Sequence, residues 1–218
     1  MKKSDLIIPF KFEDRRPIII NRLLYVPGNY EEHSNFKEKI YFKNNNRLHV
    51  EYCSGNGEWI VQKAKKNPNI NFIAIEMDFQ RARKIWVKMH NENVDNLFIV
   101  LGEAKTFTKY YLKNNSIFQI YINFPDPWPK TKHEKNRLIK KEFILEMKRV
   151  LIDKCNIIIV TDDKNYSNEI IKNILDAKLK SLYKEPYFLT NLENYGSSYF
   201  KSLWVSKGKD IRFHKFEK

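Results

Sequence analysis

Short apolar runs alternate with longer amphipathic segments from residue 47 onward. Apolar runs of about four to eight residues are typical of buried strands, whereas apolar positions three and four residues apart indicate helices. Strands are predicted at 48–52, 71–76, 97–101, 117–124 and 156–161, and helices at 58–66, 79–91, 107–112, 138–151 and 166–179. Five strand–helix units in a row predict an α/β fold with a mostly parallel sheet that is buried on both faces.

The C-terminal part of the chain departs from this alternation. We predict a strand at 182–189, a short helix at 199–206 and a last strand at 211–216. Two strands so close together near the end predict an antiparallel C-terminal edge of the sheet.

The N-terminal residues 1–46 form a basic segment in which only 18–25 is strongly apolar. Its basic residues include Lys2, Lys3, Lys11, Arg15, Arg16 and Arg22. We therefore predict a partly ordered N-terminal arm, followed by one domain at 47–218.

Composition limits the class of protein. The chain has 218 residues, of which 42% are hydrophobic and 14% aromatic, so it has enough apolar material for a core and is not globally disordered. Cys53 and Cys155 cannot form a disulfide framework, which favours a reducing, cytoplasmic location. The five histidines lack ligand spacing, so no metal is expected. No apolar segment reaches the length of a membrane span or an export signal, so no membrane is expected.

The charge points to a polyanionic partner. The formal net charge is +14, with 40 Lys and Arg against 26 Asp and Glu. Such an excess suggests nucleic acid or an anionic membrane surface, although lysines that merely solubilise the surface would give the same total.

A glycine turn follows the first predicted strand. Gly55 and Gly57 lie where the first strand leads into the first helix, and Glu76 ends the second strand 21 residues after Gly55. An acid at that position can accept hydrogen bonds from both hydroxyls of a ribose. The spacing therefore predicts a ribose-bearing cofactor, with an ordinary strand-to-helix turn as the alternative.

The residues around this turn favour a cationic ligand. A dinucleotide-binding turn would have a third glycine where Ile60 stands, and the acids Glu51 and Glu58 would repel a pyrophosphate. S-adenosyl-L-methionine carries a sulfonium, an ammonium and a ribose without phosphate, and it suits the turn better. Glu103, after the third strand, could reach the adenine edge or be a solvated loop acid.

A proline-rich loop follows the fourth predicted strand. Three prolines alternate with Asp126 and Trp128, so the chain is expected to be extended and stiff. A basic segment begins at Lys130, with eight Lys or Arg against three Asp or Glu over 130–149. A carboxylate on a rigid loop beside basic residues indicates a site for a polyanionic substrate, with a structural corner as the alternative.

These residues resemble the bacterial tRNA (guanine-N7)-methyltransferase family. The most specific match is Phe124-Pro-Asp-Pro-Trp-Pro-Lys130, and the resemblance runs from about Arg47 to the C-terminus. The other matching motifs are Glu51-x-x-Ser54-Gly55-x-Gly57, Ile75-Glu76, Gly102-Glu103-Ala104, Lys132-His133, Lys135-Asn136-Arg137-Leu138 and Thr161-Asp162.

The resemblance implies a class I methyltransferase-like, Rossmann-like three-layer sandwich that methylates a guanosine at position 46 in the tRNA variable loop. S-adenosyl-L-methionine would be the cofactor, and the protein would be a monomer or a homodimer. Asp126 would be catalytic and would border the cofactor. Cofactor residues would be Glu51, Gly55, Gly57, Glu76, Glu103 and Asp126. Substrate residues would be Lys130, Lys132, His133, Lys135, Arg137, Asp162 and Ser198.

Three departures from the family pattern stand out. Cys53 replaces a glycine, and Glu103 replaces an aspartate. The late Thr-x-x-Glu motif corresponds to Ser198–Lys201 when counted back from Lys207-Gly208, whereas 190–193 matches in letters but lies eight residues early. We prefer the register of Ser198.

Two other functions fit parts of the pattern. Enzymes that methylate amino groups have a similar motif, Asp/Asn-Pro-Pro-aromatic, after the same strand. This chain has Asp126-Pro127-Trp128 there, which is one proline short. A non-catalytic RNA-binding module would have a degraded cofactor turn, whereas Glu51, Gly55, Gly57 and Glu76 are all in place.

Overall fold

The computed structural model describes residues 1–7, 15–36, 42 and 44–218. It divides into two compact units, Met1–Leu112 and Lys113–Lys218. Lys11 of the predicted arm lies outside the described residues.

The first unit contains a five-stranded, mostly parallel arrangement. Its strands are β1 (Ile18–Ile20), β2 (Leu23–Tyr25), β3 (Arg47–Tyr52), β4 (Ile70–Glu76) and β5 (Leu97–Leu101). Its helices are α1 (Glu58–Lys66), α2 (Phe79–Asn91) and α3 (Ala104–Tyr111). The strand order is β1-β2-β5-β4-β3, and only the β1–β2 pair is antiparallel. The carboxyl ends of β3, β4 and β5 therefore lie side by side.

Burial explains why these segments adopt their structures. Every residue of β5 is buried, as expected for a strand covered on both faces. Helix α2 buries Ala82, Ile85, Trp86 and Met89, the four residues with helical spacing. Its first turn is capped by Asp78, whose side chain accepts a hydrogen bond of 2.8 Å from the Arg81 N–H.

Part of the predicted arm belongs to the core of the first unit. Strand β2 pairs in parallel with β5, and Leu23 and Leu24 are fully buried. Val26 continues this contact, because its N–H donates to the Leu101 carbonyl at 2.8 Å. A Cβ on Gly102 would lie only 2.7 Å from Val26 Cβ, so this close approach requires a glycine.

The second unit carries the antiparallel C-terminal edge. Its strands are β6 (Ile117–Asn123), β7 (Leu151–Thr161), β8 (Lys180–Ser181) and β9 (Arg212–Glu217). Its helices are α4 (Lys141–Val150), α5 (Lys164–Asp176) and α6 (Tyr199–Ser206). Strand β6 is parallel to β7, whereas β7–β9 and β8–β9 are antiparallel. The prediction of an α/β fold with mostly parallel strands and an antiparallel C-terminal edge is confirmed.

The predicted strand at 182–189 is wrong. The strand β8 ends at Ser181, and within 182–189 a single bridge joins Leu189 to Phe213 of β9. Pro186 lacks the N–H that a ladder needs, and Tyr187 has a φ of 67°, which is incompatible with an extended strand.

Candidate functional site

The glycine turn of the first unit joins β3 to α1. Three of its residues have left-handed backbone conformations: Cys53 (φ 61°), Gly55 (φ 57°) and Gly57 (φ 80°). The Ser54 N–H donates to the Ile75 carbonyl at 3.0 Å, which ties the turn to β4. A side chain at such a φ costs about 1–2 kcal/mol, so Cys53 occupies a position that favours the glycine expected from the family pattern.

Gly57 is required by helix packing as well as by its φ. A Cβ built on Gly57 would lie 2.7 Å from Ile85 Cγ1 and 3.1 Å from Ile85 Cα. The absence of a side chain therefore lets the start of α1 approach α2. Gly57 stays a predicted cofactor residue through its place in the turn, but its lack of a side chain serves packing.

Gly57→Ala is expected to destabilise the protein more than Gly208→Ala. Gly208 has a φ of 71° and no atom within 4 Å of a built Cβ, so alanine there meets only the backbone cost of about 1–2 kcal/mol. At Gly57 the clash with Ile85 adds about 1–3 kcal/mol. Urea denaturation of both variants measures the difference, and equal losses of stability would contradict the packing role.

Glu76 lies at the centre of this edge of the first unit. Its side chain is 5% exposed, and its Oε2 accepts the Gly55 N–H at 2.8 Å while Oε1 accepts the Asp78 N–H at 2.9 Å. Its main-chain carbonyl accepts the Gly102 N–H at 3.0 Å. Glu76 thus connects the turn after β3 with the turn after β5.

The carboxylate of Glu76 can accept further hydrogen bonds. Burial raises its pKa above the usual value, and the two backbone N–H groups and the charge of Arg81 oppose that shift only in part. Each carboxylate oxygen has a second lone pair, so two ligand hydroxyls would stabilise the charged form. These remaining acceptor positions fit the two hydroxyls of a ribose.

The other two predicted acids differ in exposure. Glu51, on β3, is buried at 1% exposure, next to the glycine turn. Glu103 is exposed at the N-cap of α3, where its Oε2 accepts a 2.8 Å hydrogen bond from Thr106 Oγ1. Glu58, which also borders the turn, pairs with Lys88 of α2. Two buried carboxylates, Glu51 and Glu76, suit a cationic ligand better than a pyrophosphate.

The proline-rich loop of the second unit follows β6. Phe124 and Trp128 have φ values of 50° and 42°, so the prediction of an extended segment is wrong at these two residues. Each of these residues precedes a proline, where the conformation of the preceding residue is restricted further. Such backbone strain costs about 1–3 kcal/mol per residue and persists only where surrounding contacts hold it.

Asp126 projects from this loop into solvent. Its side chain is exposed, whereas Pro125 before it is buried. No hydrogen bond or ion pair joins its carboxylate to any residue that the structure describes. Asp126 is therefore available to a ligand.

The basic segment after the loop divides into exposed and buried residues. Lys130, Lys132 and Lys135 are exposed, and His133 is half-buried with its ring centroid 5.7 Å from that of Trp128. Arg137, in contrast, is only 7% exposed.

The guanidinium of Arg137 is bound to the proline-rich loop. Its Nε donates to the Pro127 carbonyl at 2.7 Å and its Nη2 to the Trp128 carbonyl at 3.3 Å. Its Nη1 forms an ion pair with Glu169 of α5. The sequence did not indicate Glu169, because an acid on a helix face with a distant partner has no local pattern.

Asp162 and Ser198 are both engaged within the second unit. Asp162, after β7, forms an ion pair of 2.5 Å with Lys209. Ser198 is the N-cap of α6, where its Oγ accepts the Lys201 N–H at 3.1 Å. Ser198 and Lys201 thus occupy the N-cap and N3 positions at which Thr-x-x-Glu forms a capping box. Residues 190–193 precede α6 in irregular structure.

Two other kinds of feature are absent from the described residues. No three His, Cys, Asp or Glu side chains of the described ranges come together as metal ligands would. No helix in that part of the chain has the length and apolar character needed to cross a bilayer.

Comparisons with known proteins identify the family. A family model described as "Putative methyltransferase" matches residues 45–213. The chain is 48% identical to the tRNA (guanine-N(7)-)-methyltransferase of Chlamydia abortus and 45% identical to that of Chlamydia caviae, in each case over all of this chain and 98% of the relative.

A solved structure supports the fold. The precorrin-6y C5,15-methyltransferase of Geobacter metallireducens has a TM-score of 0.56 at 11% identity, covering 85% of this chain and 86% of its own. This likeness shows a methyltransferase-like α/β fold, as predicted, and nothing of substrate. The full-length identities decide the family: the chain belongs to the tRNA (guanine-N7)-methyltransferases, as its proline-rich motif predicted.

Proposed function

We propose that this chain transfers the methyl group of S-adenosyl-L-methionine to N7 of a guanosine in tRNA, at position 46 of the variable loop. The observation that carries the proposal is Asp126, an exposed carboxylate without a side-chain partner among the described residues, on a loop whose backbone is held in a strained conformation. Family membership supports this reaction. A tRNA substrate also favours the proposed cytoplasmic location of the protein.

The first unit supplies the proposed cofactor residues. Glu76 would accept the ribose hydroxyls, Gly55 and Gly57 would shape the turn, and Glu51 would favour the cationic part of the ligand. Glu103 would lie toward the adenine. The cofactor supplies a methyl group that its sulfonium already activates.

The chemistry needs positioning and charge rather than a base. Guanine N7 is unprotonated and has a lone pair, so no proton has to be removed before attack. Positive charge develops on the purine as the methyl group arrives, and a fixed carboxylate at Asp126 becomes more favourable in the transition state. The same carboxylate could accept hydrogen bonds from the N1–H and the exocyclic amine of guanine, which would select this base.

The second unit supplies the proposed RNA contacts. Three exposed lysines and one half-buried histidine follow the loop: Lys130, Lys132, Lys135 and His133. The net charge of +14 also suits a polyanionic partner. Asp162 and Ser198 stay proposed substrate residues. We leave Arg137 out of the RNA contacts, because its guanidinium is buried and already bound.

The decisive experiment is mass spectrometry of tRNA nucleosides after incubation with protein and cofactor. We expect 7-methylguanosine in tRNA and none in a matched transcript with adenosine at position 46. Methylation of an exocyclic amine would favour the amino-methylating alternative. If calorimetry shows no binding of the cofactor while the protein still binds tRNA, the non-catalytic RNA-binding module is favoured.

Neutralising Lys132 and Lys135 together is expected to reduce the salt dependence of tRNA binding. Each phosphate interaction that the variant removes should lower the slope of log affinity against log salt by about 0.7–0.9. The control is a double substitution of Lys66 and Lys105, two exposed lysines of the first unit. An unchanged slope for the Lys132 and Lys135 variant would place the RNA elsewhere.

A further inference from the structure

The position of the Asp126 carboxylate depends on the backbone of its loop. Its side chain is exposed and contacts no partner by hydrogen bond or ion pair in the part of the chain that the structure describes. A group that acts on a developing charge must nevertheless be fixed before the reaction begins. The residues on either side of Asp126 must therefore fix the position of its carboxylate.

The backbone on both sides of Asp126 is strained. Phe124 and Trp128 are bulky residues with left-handed φ values of 50° and 42°, and a proline follows each of them. Neither feature is favourable in a free loop. Contacts from outside the loop must hold both residues in place.

The loop has few backbone groups through which it can be held. Pro125, Pro127 and Pro129 have no N–H, so their carbonyls are the only polar backbone groups they offer. On the N-terminal side, the Phe124 N–H donates to the Val160 carbonyl at 2.8 Å. On the C-terminal side, Arg137 donates to the carbonyls of both Pro127 and Trp128.

Arg137 is itself held rigidly. It is 7% exposed, forms an ion pair with Glu169, lies 3.5 Å from the Glu134 carboxylate and stacks 5.4 Å from the ring centroid of Tyr166. Both Tyr166 and Glu169 belong to α5. A planar guanidinium can donate to two carbonyls and a carboxylate at once, which an ammonium cannot do with the same geometry.

We propose that Arg137 is a positioning residue that fixes Asp126 by holding the carbonyls of Pro127 and Trp128 against α5. This inference rests on the proposed function. It gives Arg137 a role in ordering the catalytic loop, unlike Lys130, Lys132 and Lys135 of the same basic segment, which are exposed. Glu169 and Tyr166 of α5 contribute to the same role because they hold the guanidinium of Arg137 in place.

The kinetic test uses Arg137→Gln and Arg137→Lys in the full chain. We expect single-turnover methylation to fall about 10- to 100-fold in Arg137→Gln, because a small displacement of a reacting group has effects of this size. Arg137→Lys keeps the positive charge but lacks the planar guanidinium that donates to both carbonyls. Its rate should therefore lie between those of Arg137→Gln and the wild type. Affinities for tRNA and cofactor should stay within a few-fold of wild type.

The matched control is Arg149→Gln. Arg149 pairs with Glu146 and Asn114 in the same unit, so this variant removes an arginine ion pair that does not involve the loop. We expect it to methylate at nearly the wild-type rate. If it is as slow as Arg137→Gln at equal thermal stability, general destabilisation explains the slower reaction and the proposal is overturned.

A spectroscopic readout separates positioning from activity. In protein labelled with 5-fluorotryptophan, the ¹⁹F resonance of Trp128 is assigned through Trp128→Phe. We expect that resonance to shift or broaden in Arg137→Gln and to stay unchanged in Arg149→Gln. If the Arg137 variants do not fold, Glu169→Gln serves instead, since it keeps Arg137 and should give a smaller shift and a smaller reduction in rate.

The outcomes distinguish this inference from the proposed function. Wild-type protein that forms no 7-methylguanosine would refute the proposed function, and the ¹⁹F spectra would still test whether Arg137 orders the loop. An Arg137→Gln variant with a wild-type rate and an unchanged Trp128 resonance would overturn the inference. A lowered tRNA affinity with a reduced salt slope would also overturn it, by making Arg137 an RNA contact.

Discussion

Asp126→Asn is expected to lower the single-turnover rate of methylation by about 100-fold or more, as when one preorganised electrostatic group is removed. The substitution hardly changes the side-chain volume. The loop backbone should keep its shape, because Pro125 is buried and Arg137 holds the carbonyls that follow Asp126. The variant loses a negative charge beside a base that becomes cationic, together with an acceptor for the guanine N–H groups.

The affinity for tRNA should change by no more than a few-fold in Asp126→Asn. Phosphate contacts dominate binding to RNA, and the carboxylate contributes mainly in the transition state. The matched control is Asp153→Asn, which replaces an exposed acid of β7 that pairs with Lys218. Asp162 is unsuitable as a control because it is a proposed substrate residue. A wild-type rate in Asp126→Asn would exclude a catalytic role, and a parallel decrease in tRNA affinity would make Asp126 a docking contact.

Glu76→Ala is expected to weaken the binding of S-adenosyl-L-methionine by about 1–3 kcal/mol, because charge-assisted hydrogen bonds to the ribose are removed. Glu76→Gln keeps the volume but places an amide N–H₂ against a backbone N–H of Gly55 or Asp78, so it should weaken binding as well. Calorimetry measures both variants. Glu92→Gln is the control, because Glu92 pairs with Lys65 at the end of α2.

The pH dependence of binding gives this prediction a second readout. The pKa of Glu76 is raised in the free protein mainly by burial, and hydroxyl donors of a ligand would favour the charged form. Cofactor binding should therefore weaken as the pH falls through that raised pKa, and Glu76→Gln should lack this dependence. Equal affinities in wild type and variants, at every pH, would remove Glu76 from the binding site.

The sequence by itself determined the helices and strands that have strong periodicity. The predicted bounds of α1, α2, β5 and α6 coincide with the structure. Helices α1 and α2 bury one face and β5 buries both, so their pattern of apolar residues is local and complete. The family could also be predicted, because the proline-rich motif around Asp126 concentrates rare residues in a short segment.

Two other segments depended on contacts with residues far away in the chain. Strand β2 lies in the predicted arm and is buried because it pairs with β5, which follows it by more than 70 residues. The segment 182–189 has strand-like composition but does not form a ladder, since Pro186 and the φ of Tyr187 interrupt it. Pairing across such distances leaves no local signal.

The site shows the same division. Glu76 ends one predicted strand and Asp126 follows another, so the sequence predicts their positions but not the partners that orient them. Only the tertiary structure shows that the Glu76 carboxylate is bound to two backbone N–H groups, and that Arg137 is buried against Glu169 rather than exposed with its neighbouring lysines. Burial and the geometry of a hydrogen bond depend on what packs against a side chain, and neither is encoded in the spacing of residues along the chain.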